Sequence, residues 1–216
     1  QLIAIVTCHA PKYRDRAEAQ RKTWVKHASA CGFDLKFFLG NPPNGEQPRP
    51  DEVFLPVDDG YAGMPAKVQA VCQWAHARGY DYLFKTDDDV YLNMVALKAA
   101  PHAPHDYVGR FRAPSGDYPA FYASGFGYWL SHRAMQIIAN AALTEDPAED
   151  RWVANTLAKA GVQGYTDDKH YVACYPPTVP ELVFRGGLRS CAAFCEYPPA
   201  LMQKMYFYHN AIRVSL

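Results

Sequence analysis

The sequence lacks a long hydrophobic segment, an excess of basic residues and cysteines paired at zinc-binding spacing. Because it has no run of about 18 apolar residues, no segment is expected to span a membrane. Lysine plus arginine and aspartate plus glutamate number 22 each, whereas proteins that mainly grip nucleic acid carry a basic excess. These absences favour a globular protein that is soluble in the form given by this sequence. They disfavour a membrane-embedded protein and a protein whose main partner is a nucleic acid.

The six cysteines leave the redox compartment open. Three of them fall in apolar or helical patterns, where a buried free thiol is the simplest interpretation: Cys8, Cys31 and Cys72. The other three cluster late in the chain and could form one disulfide in an oxidising compartment: Cys174, Cys191 and Cys195.

Hydrophobic residues make up 49% of the 216 residues, which is enough for a substantial core. Apolar runs predict strands at Leu2–Cys8, Asp34–Leu39, Glu52–Val57 and Tyr80–Lys85, with helices predicted between them at Arg14–Ala30 and Met64–Arg78. Such alternation favours an α/β fold with an open, mostly parallel, Rossmann-type sheet flanked by helices. Ligands of such sheets bind beyond the carboxyl ends of the strands.

The second half of the chain has a less regular pattern. Strands are predicted at Asp106–Arg110 and Phe126–Leu130, and helices at Ser131–Ala142, with Ser131 as N-cap, and at Asp150–Ala160. Beyond Gly161 the chain is rich in proline, glycine and tyrosine, and its path is not predicted. With no internal repeat and no low-complexity linker, one compact domain is expected.

Three consecutive carboxylates follow the fourth predicted strand, at Asp87, Asp88 and Asp89. Their mutual repulsion and any burial make such a cluster costly unless a cation binds. Hard carboxylate oxygens suit Mg²⁺ or Mn²⁺, which commonly bridge one or two carboxylates to substrate phosphates. Alternation would place Asp87 and Asp89 on one side and Asp88 on the other. A solvated acidic turn is the alternative, but the apolar residues before and after the triplet favour a metal site.

The segment YDYLFKTDDDVY, at Tyr80–Tyr91, closely resembles the signature of the β-1,3-galactosyltransferase and Fringe family of inverting glycosyltransferases. Five further blocks resemble the same family in the same order. They are Arg16 with Arg21-x-Thr23-Trp24, Asp59-Gly60-Tyr61 with Lys67, Tyr118–Tyr128, Glu149-Asp150 and Phe207-Tyr208-His209. Six ordered blocks are far more specific than a DxD triplet alone. The chain departs from the family pattern at Pro147-Ala148, where a glycine is typical.

This resemblance implies a GT-A fold, a UDP-sugar donor, Mn²⁺ (or Mg²⁺) and inversion at the anomeric carbon. The implied metal ligands are Asp89, as principal carboxylate, His209 and Asp87. The implied donor-binding residues are Thr7, Arg16, Arg21, Lys67, Asp87, Asp88 and Gly125. Asp150 is implied as the catalytic base. Residues 1–92 would form a nucleotide-binding half and residues 93–216 an acceptor-side half.

Elementary chemistry is consistent with these roles. Expulsion of a nucleoside diphosphate leaves negative charge that a divalent ion stabilises. The acceptor hydroxyl must lose a proton, and a carboxylate separate from the metal, such as Asp150, would accelerate that step by about 10²–10⁴-fold. The alternative for Asp150 is a charge favoured by the helix dipole, and for His209 it is a packed histidine.

The basic residues leave alternatives open. Arg16 and Arg21 lie five residues apart and do not share a helical face, so one is expected at phosphate and the other in an ion pair. Lys67 would either neutralise phosphate or pair with a carboxylate of the triplet. Trp24 is interpreted as a core residue.

Two other functions remain open, a nucleotide-sugar-binding module without turnover and a metal-dependent nucleotide-sugar hydrolase. The transferred sugar, expected to be a hexose or N-acetylhexosamine, and the acceptor are not fixed. A glycan, a protein or a small molecule is compatible as acceptor, and neutral net charge disfavours a modified nucleic acid. The sequence as given begins at Gln1 and shows no pattern of a membrane anchor. It is compatible with a cytoplasmic location if the protein is microbial or viral. It is equally compatible with the Golgi lumen if the chain is a trimmed eukaryotic enzyme.

Overall fold

A seven-stranded sheet forms the centre of the computed structural model, which describes residues 1–113, 121–168, 170–171, 193–194, 199–200, 202–203 and 205–206. Its strands are β1 (Leu2–Val6), β2 (Asp34–Leu39), β3 (Glu52–Phe54), β4 (Tyr82–Asp87), β6 (Tyr107–Arg112), β7 (Tyr122–Ser131) and β8 (Gly164–Thr166). Separately, β5 (Tyr91–Leu92) pairs antiparallel with β9 (Ala193–Phe194).

The strand order is β3-β2-β1-β4-β7-β6-β8, and only β7 runs antiparallel to its neighbours. The mostly parallel sheet predicted from the sequence is therefore confirmed. Because β4 from the first half pairs with β7 from the second, one sheet joins the two halves into a single domain.

Helices cover both faces of this sheet. The helices on one face are α2 (Met64–His76), α4 (His132–Ala139) and α5 (Glu149–Lys159). On the other face lie α1 (Pro11–Lys22), α3 (Met94–Ala99) and two 3₁₀ helices, at Trp24–His27 and Ser29–Cys31. Further 3₁₀ helices occur at Pro43–Gly45 and Tyr61–Gly63. Alternation along β1 explains the two cores, since Ala4 packs into one and Ile3 and Ile5 into the other. No helix among the described residues is long and apolar enough to cross a membrane.

The predicted helix Arg14–Ala30 is correct only in its first part. It begins at Pro11, whose fixed φ and missing N–H suit a first helical position. It ends at Lys22, and the side-chain hydroxyl of the next residue, Thr23, donates to the carbonyl oxygen of Ala19 at 2.7 Å and satisfies a carbonyl of the last turn. Trp24, interpreted as a core residue, is 1% exposed.

β7 is longer than the predicted strand Phe126–Leu130, because it extends back through Gly125, a residue type that argues against a strand. A Cβ at Gly127 would lie 2.5 Å from the ring of Phe84, so only glycine lets β7 and β4 pair at this point. The predicted N-cap is confirmed, since the Ser131 hydroxyl accepts from the backbone N–H of Ala134 at 3.2 Å.

The described cysteines are free thiols, as interpreted, but Cys8 and Cys31 are half-buried and only Cys72 is fully buried. The other three cysteines lie outside the described residues.

Candidate functional site

A cleft of about 260 Å³ opens at the carboxyl edge of the sheet, where β1 and β4 end side by side. Val6 of β1 is in register with Asp87 of β4, so the residues that follow these two strands meet. Residues lining the cleft include Thr7, Arg16, Lys67, Asp87, Asp88 and Asp89. The convergence expected from the sequence is thus observed, while the chemical roles of these residues remain predictions.

Asp88 is the buried carboxylate of the triplet, at 3% exposed. It accepts a hydrogen bond from Thr7 Oγ1 at 2.7 Å, and Arg16 Nη1 lies 3.3 Å from its other oxygen. Burial raises the pKa of Asp88 to about 7, and the negative charges of Asp87 and Asp89 raise it further. The hydrogen bond from Thr7 and the positive charge of Arg16 act in the opposite direction and lower it. A cation in the cleft would relieve this excess of negative charge.

The three carboxylates do not divide as strand alternation predicts. Arg16 Nη1 lies 3.2 Å from Asp89 Oδ2 and also contacts Asp88, so these two share one partner. Asp87 instead contacts Lys85 Nζ at 2.7 Å. The reason is that β4 ends at Asp87, so the alternation of a strand does not extend to the next two residues.

Gln20 of α1 and Trp24 of the following 3₁₀ helix hold the backbone at the two ends of the segment Asp87–Val90. Gln20 Nε2 donates to the carbonyl oxygens of Asp87 and Val90, both at 2.9 Å, and Trp24 Nε1 donates to Val90 at 3.1 Å. Sequence reasoning missed Gln20. The available signal was a polar residue on the otherwise apolar inner face of a helix.

Lys67 pairs with Asp59 and not with a carboxylate of the triplet, while its contact with phosphate stays a prediction. It is 1% exposed, and its ammonium group contacts Thr7 O at 2.9 Å, Asp59 O at 3.2 Å and Asp59 Oδ1 at 2.8 Å. Asp59 also accepts from the backbone N–H groups of His9 and Gly40, each at 2.6 Å. Lys67 therefore fixes the loops that form one wall of the cleft.

Arg21 does not line the cleft. Its Nε lies 2.7 Å from Asp51 Oδ2 and its Nη2 lies 2.8 Å from Glu52 Oε1. Of the two arginines of α1, Arg16 thus lines the cleft, where it contacts Asp88 and Asp89, whereas Arg21 makes ion pairs away from it. The phosphate contact expected for one of them stays a prediction.

A buried charge cluster connects the cleft to the start of α5. Lys85 is fully buried and contacts Asp87, the carbonyl oxygen of Gly125 at 2.8 Å and the carboxylate of Glu149. The Tyr128 hydroxyl donates to Glu149 Oε2 at 2.7 Å. Lys85 was not predicted as a site residue, although a lysine in an apolar strand requires buried acidic partners and is a usable signal.

The cluster sets the protonation of its members. Burial acts to lower the pKa of Lys85, but Asp87 and Glu149 raise it overall, so the lysine stays charged. Burial raises the pKa of Glu149 to about 7, against the opposing effect of Lys85.

Asp150, the predicted base, lies beside this cluster at the start of α5. A Cβ at Gly125 would lie 3.6 Å from Asp150 Oδ2, 3.2 Å from Glu149 Oε1 and 3.7 Å from Lys85 Nζ. Gly125, whose role in donor binding stays a prediction, lies here beside Asp150, and its missing side chain leaves space above the carboxylates.

The predicted ligand His209 lies outside the described residues, as do residues 118–120 of the segment Tyr118–Tyr128. Within the described part of the chain, no three His, Cys, Asp or Glu side chains form a closed metal site. The triplet nevertheless fits an Mg²⁺- or Mn²⁺-type site, because such ions use one or two carboxylates together with substrate phosphates and water.

Comparisons with known proteins find sequence similarity to sugar transferases. No protein-family profile matches the chain. Rat beta-1,3-galactosyltransferase 4 is 26% identical over 228 residues, covering 74% of this chain and 60% of the relative. Human UDP-GalNAc:beta-1,3-N-acetylgalactosaminyltransferase 2 is 29% identical over 140 residues, covering 54% of this chain and 28% of the relative. The chain therefore spans only part of the length of the curated relatives it matches.

Solved structures show the same fold. A glycosyltransferase involved in glycosylation of the major capsid of PBCV-1 superposes with a TM-score of 0.57 at 16% identity, covering 95% of this chain and 99% of that one. The galactosyltransferase LgtC, in complex with donor and acceptor sugar analogs, superposes with a TM-score of 0.53 at 11% identity, covering 91% and 87%. The fold of this chain is GT-A-like.

Proposed function

We propose that this protein is an inverting glycosyltransferase that moves a hexose or N-acetylhexosamine from a UDP-sugar to an acceptor hydroxyl. The observation that carries the proposal is the continuity between two groups of carboxylates. The triplet Asp87–Asp89 lines a cleft at the carboxyl edge of the sheet, and Lys85 joins Asp87 to the start of α5, where Asp150 lies. The names of the similar proteins support the same class of reaction.

On the donor side, Thr7 and Arg16 would bind the uridine diphosphate. Arg16 already faces two carboxylates and is 20% exposed at its side chain, so it can exchange one of them for a phosphate oxygen. Tyr61, at the rim of the cleft, is 73% exposed and offers an aromatic face to the uracil. When bound, Mn²⁺ or Mg²⁺, held by Asp89 and Asp87 with His209 as a further predicted ligand, would neutralise charge on the departing diphosphate.

On the acceptor side, Asp150 would take the proton from the attacking hydroxyl. The hydroxyl oxygen forms a bond to the anomeric carbon while the bond from that carbon to the diphosphate breaks, and its electron pair leaves with the diphosphate. Attack from the face opposite the leaving group inverts the configuration. Lys85 compensates the charges of Asp87 and Glu149, which leaves Asp150 as the carboxylate available to the proton.

A thermal-shift screen of nucleotide-sugars, with and without Mn²⁺, tests the donor half of the proposal. A ligand that binds only the folded state raises the melting temperature, and a hundredfold excess over Kd corresponds to about 2.7 kcal/mol. We expect a shift with UDP-sugars that requires the metal. No uptake of Mn²⁺ or Mg²⁺ by calorimetry in the presence of any uridine nucleotide would overturn it.

Product analysis then separates the transferase from the other two candidates. A transferase releases UDP faster when the acceptor is added and forms a new glycoside of inverted configuration. Equal release of free sugar with and without acceptors would indicate a hydrolase. Metal-dependent UDP binding without any turnover would indicate a binding module.

A further inference from the structure

A second cavity, of about 600 Å³, lies between α5, β6 and β8, and we call it the α5 groove. Residues lining it include Tyr107, Phe111, Phe121, Ala154, Ala158 and Thr166. It is separate from the cleft that contains the carboxylate triplet. Its volume falls within the range of about 300–1,000 Å³ that small-molecule sites occupy.

The register of α5 connects the groove to Asp150. Asp150, Ala154 and Ala158 are spaced four residues apart, so they follow one another along one side of the helix. At a rise of 1.5 Å per residue, Ala158 lies about 12 Å along the helix from Asp150. One end of the α5 groove therefore points toward the proposed base.

The register of the sheet gives the same connection independently. Gly125 of β7 lies beside Asp150, and Ala123, two residues away, packs into the same core as α5 although the pairing of β6 with β7 is irregular between Ala123 and Tyr128. Ala123 is paired with Phe111 of β6, which lines the groove. The groove floor thus begins one strand away from the residue that contacts Asp150.

The chemistry of the α5 groove differs from that of the cleft. None of the described residues lining it carries a charge, and a charged ligand would lose hydration there without gaining an ionic partner. Three aromatic rings line it, and one of them, Phe121, is 63% exposed. Thr166 and Gln163 supply hydrogen-bonding groups, while small residues of α5 leave room for a ring. Apolar C–H faces combined with neutral hydroxyls are the surface of an uncharged sugar.

We infer that the α5 groove is the acceptor subsite and that it selects an uncharged glycoside over an acidic one. This inference rests on the proposed function, because the groove leads to the proposed base. The reacting hydroxyl would lie at Asp150, and the next sugar or aglycone would extend along Ala154 and Ala158 against Phe111 and Phe121.

Phenyl β-glucoside and phenyl β-glucuronide form a matched pair of probes, because they differ only in the group at C6. This group is an uncharged hydroxymethyl in the glucoside and a carboxylate in the glucuronide. Binding of each is measured by saturation-transfer NMR in the presence of UDP and Mg²⁺, and UDP binding to the same samples is measured by calorimetry. We expect the glucoside to bind and the glucuronide to bind at least about tenfold more weakly.

Two variants place the binding in the groove. Ala158→Arg fills it from an exposed helix position and should weaken glucoside binding at least about tenfold. Asn155→Arg adds the same side chain to an exposed position of α5 that does not line the groove, and should leave binding unchanged. Phe121→Ala should also weaken binding, whereas Tyr165→Ala, at an exposed aromatic that stacks on His105, should not. Equal melting temperatures establish that the variants fold.

Each outcome bears on one of the two proposals. UDP binding with no glucoside binding, equal binding of glucuronide, or full binding by Ala158→Arg would each overturn the acceptor subsite alone. Absence of UDP binding by the unmodified protein would overturn the proposed function and this inference with it.

Discussion

The cleft and the α5 groove lie at neighbouring parts of one sheet but are built from opposite kinds of side chain. The cleft concentrates charge, and its carboxylates, Arg16 and Lys67 are fixed by short hydrogen bonds from several elements. The groove is lined by aromatic rings and small residues without charge. The difference matches the two tasks proposed for them, since a diphosphate needs compensating charges in fixed positions whereas a neutral sugar needs shape and apolar surface.

Lys85 lies where the two regions meet. Its partners are Asp87 on the cleft side and Glu149 and Gly125 on the α5 side. The two regions are therefore held in a fixed relation by one buried cation. Substitutions that affect only one side, or that remove the connection, test whether the division is real.

The largest effect is expected from Asp150→Asn, which removes the proposed base but keeps the size of the side chain. Transfer should fall by about 10²–10⁴-fold, because the acceptor hydroxyl loses its proton acceptor. Binding of UDP with Mn²⁺, measured by calorimetry, should not change, since Asp150 does not line the cleft. Glu145→Gln, at an exposed position before α5, is the matched control. A normal transfer rate in Asp150→Asn would show that the base is elsewhere.

Lys85→Met should break the connection between the two regions. Removing the cation leaves Glu149 and Asp87 without their buried partner, and loss of one member of a buried ion pair typically costs about 3–5 kcal/mol. Urea denaturation measures the loss of free energy of unfolding. Lys98→Met, at an exposed position of α3, should change it little. Equal stability of the two variants would contradict a structural connection through Lys85.

Asp89→Asn should affect the cleft alone. Because Asp89 is the predicted principal metal carboxylate, metal-dependent UDP binding should weaken by at least about 10–100-fold. Asp81→Asn, exposed at the entry to β4, provides the control. Unchanged Mn²⁺ dependence of UDP binding in Asp89→Asn would remove this carboxylate from the proposed site.

The cleft was also far easier to predict from the sequence than the groove. Strands β1 to β4 are apolar runs between amphipathic helices, and the position of charged residues after β1 and β4 is enough to bring Thr7 and Asp87–Asp89 together. The sequence signals that Gln20 and Lys85 are buried polar residues, but it does not identify their partners, because these contacts join distant elements.

The second half carries weaker sequence signals for physical reasons. Gly125 lies in the part of β7 that was not predicted, and a glycine there resembles a strand-breaking signal until the carboxylates that it faces, Glu149 and Asp150, are known. The α5 groove uses Ala154 and Ala158, whose importance is the space they leave. An absent side chain has no motif, so neither the length of β7 nor the groove was predicted.

The smallest effect concerns the charge of Glu149, which lies between the two regions. Its ordinary pKa is 4.5, and burial raises it to about 7 in the folded protein. Between these values the unfolded chain has lost the proton and the folded protein retains it, so the free energy of unfolding should fall as pH rises through this window. Glu149→Gln cannot titrate and should remove this contribution, at most about 1.4 kcal/mol per pH unit.

The measurement is the difference in slope between the two proteins, taken from urea denaturation at pH values from about 4.5 to 7.5. Because the other titrating groups are shared, their contributions cancel in the difference, and any constant loss from the amide does not affect the slope. As the pH rises past 7, Glu149 ionises in the folded protein as well, so the pH slopes of the unmodified protein and of Glu149→Gln should converge. Identical slopes throughout would mean that Lys85 keeps Glu149 ionised at all these pH values and that burial does not control the charge on the α5 side of the cluster.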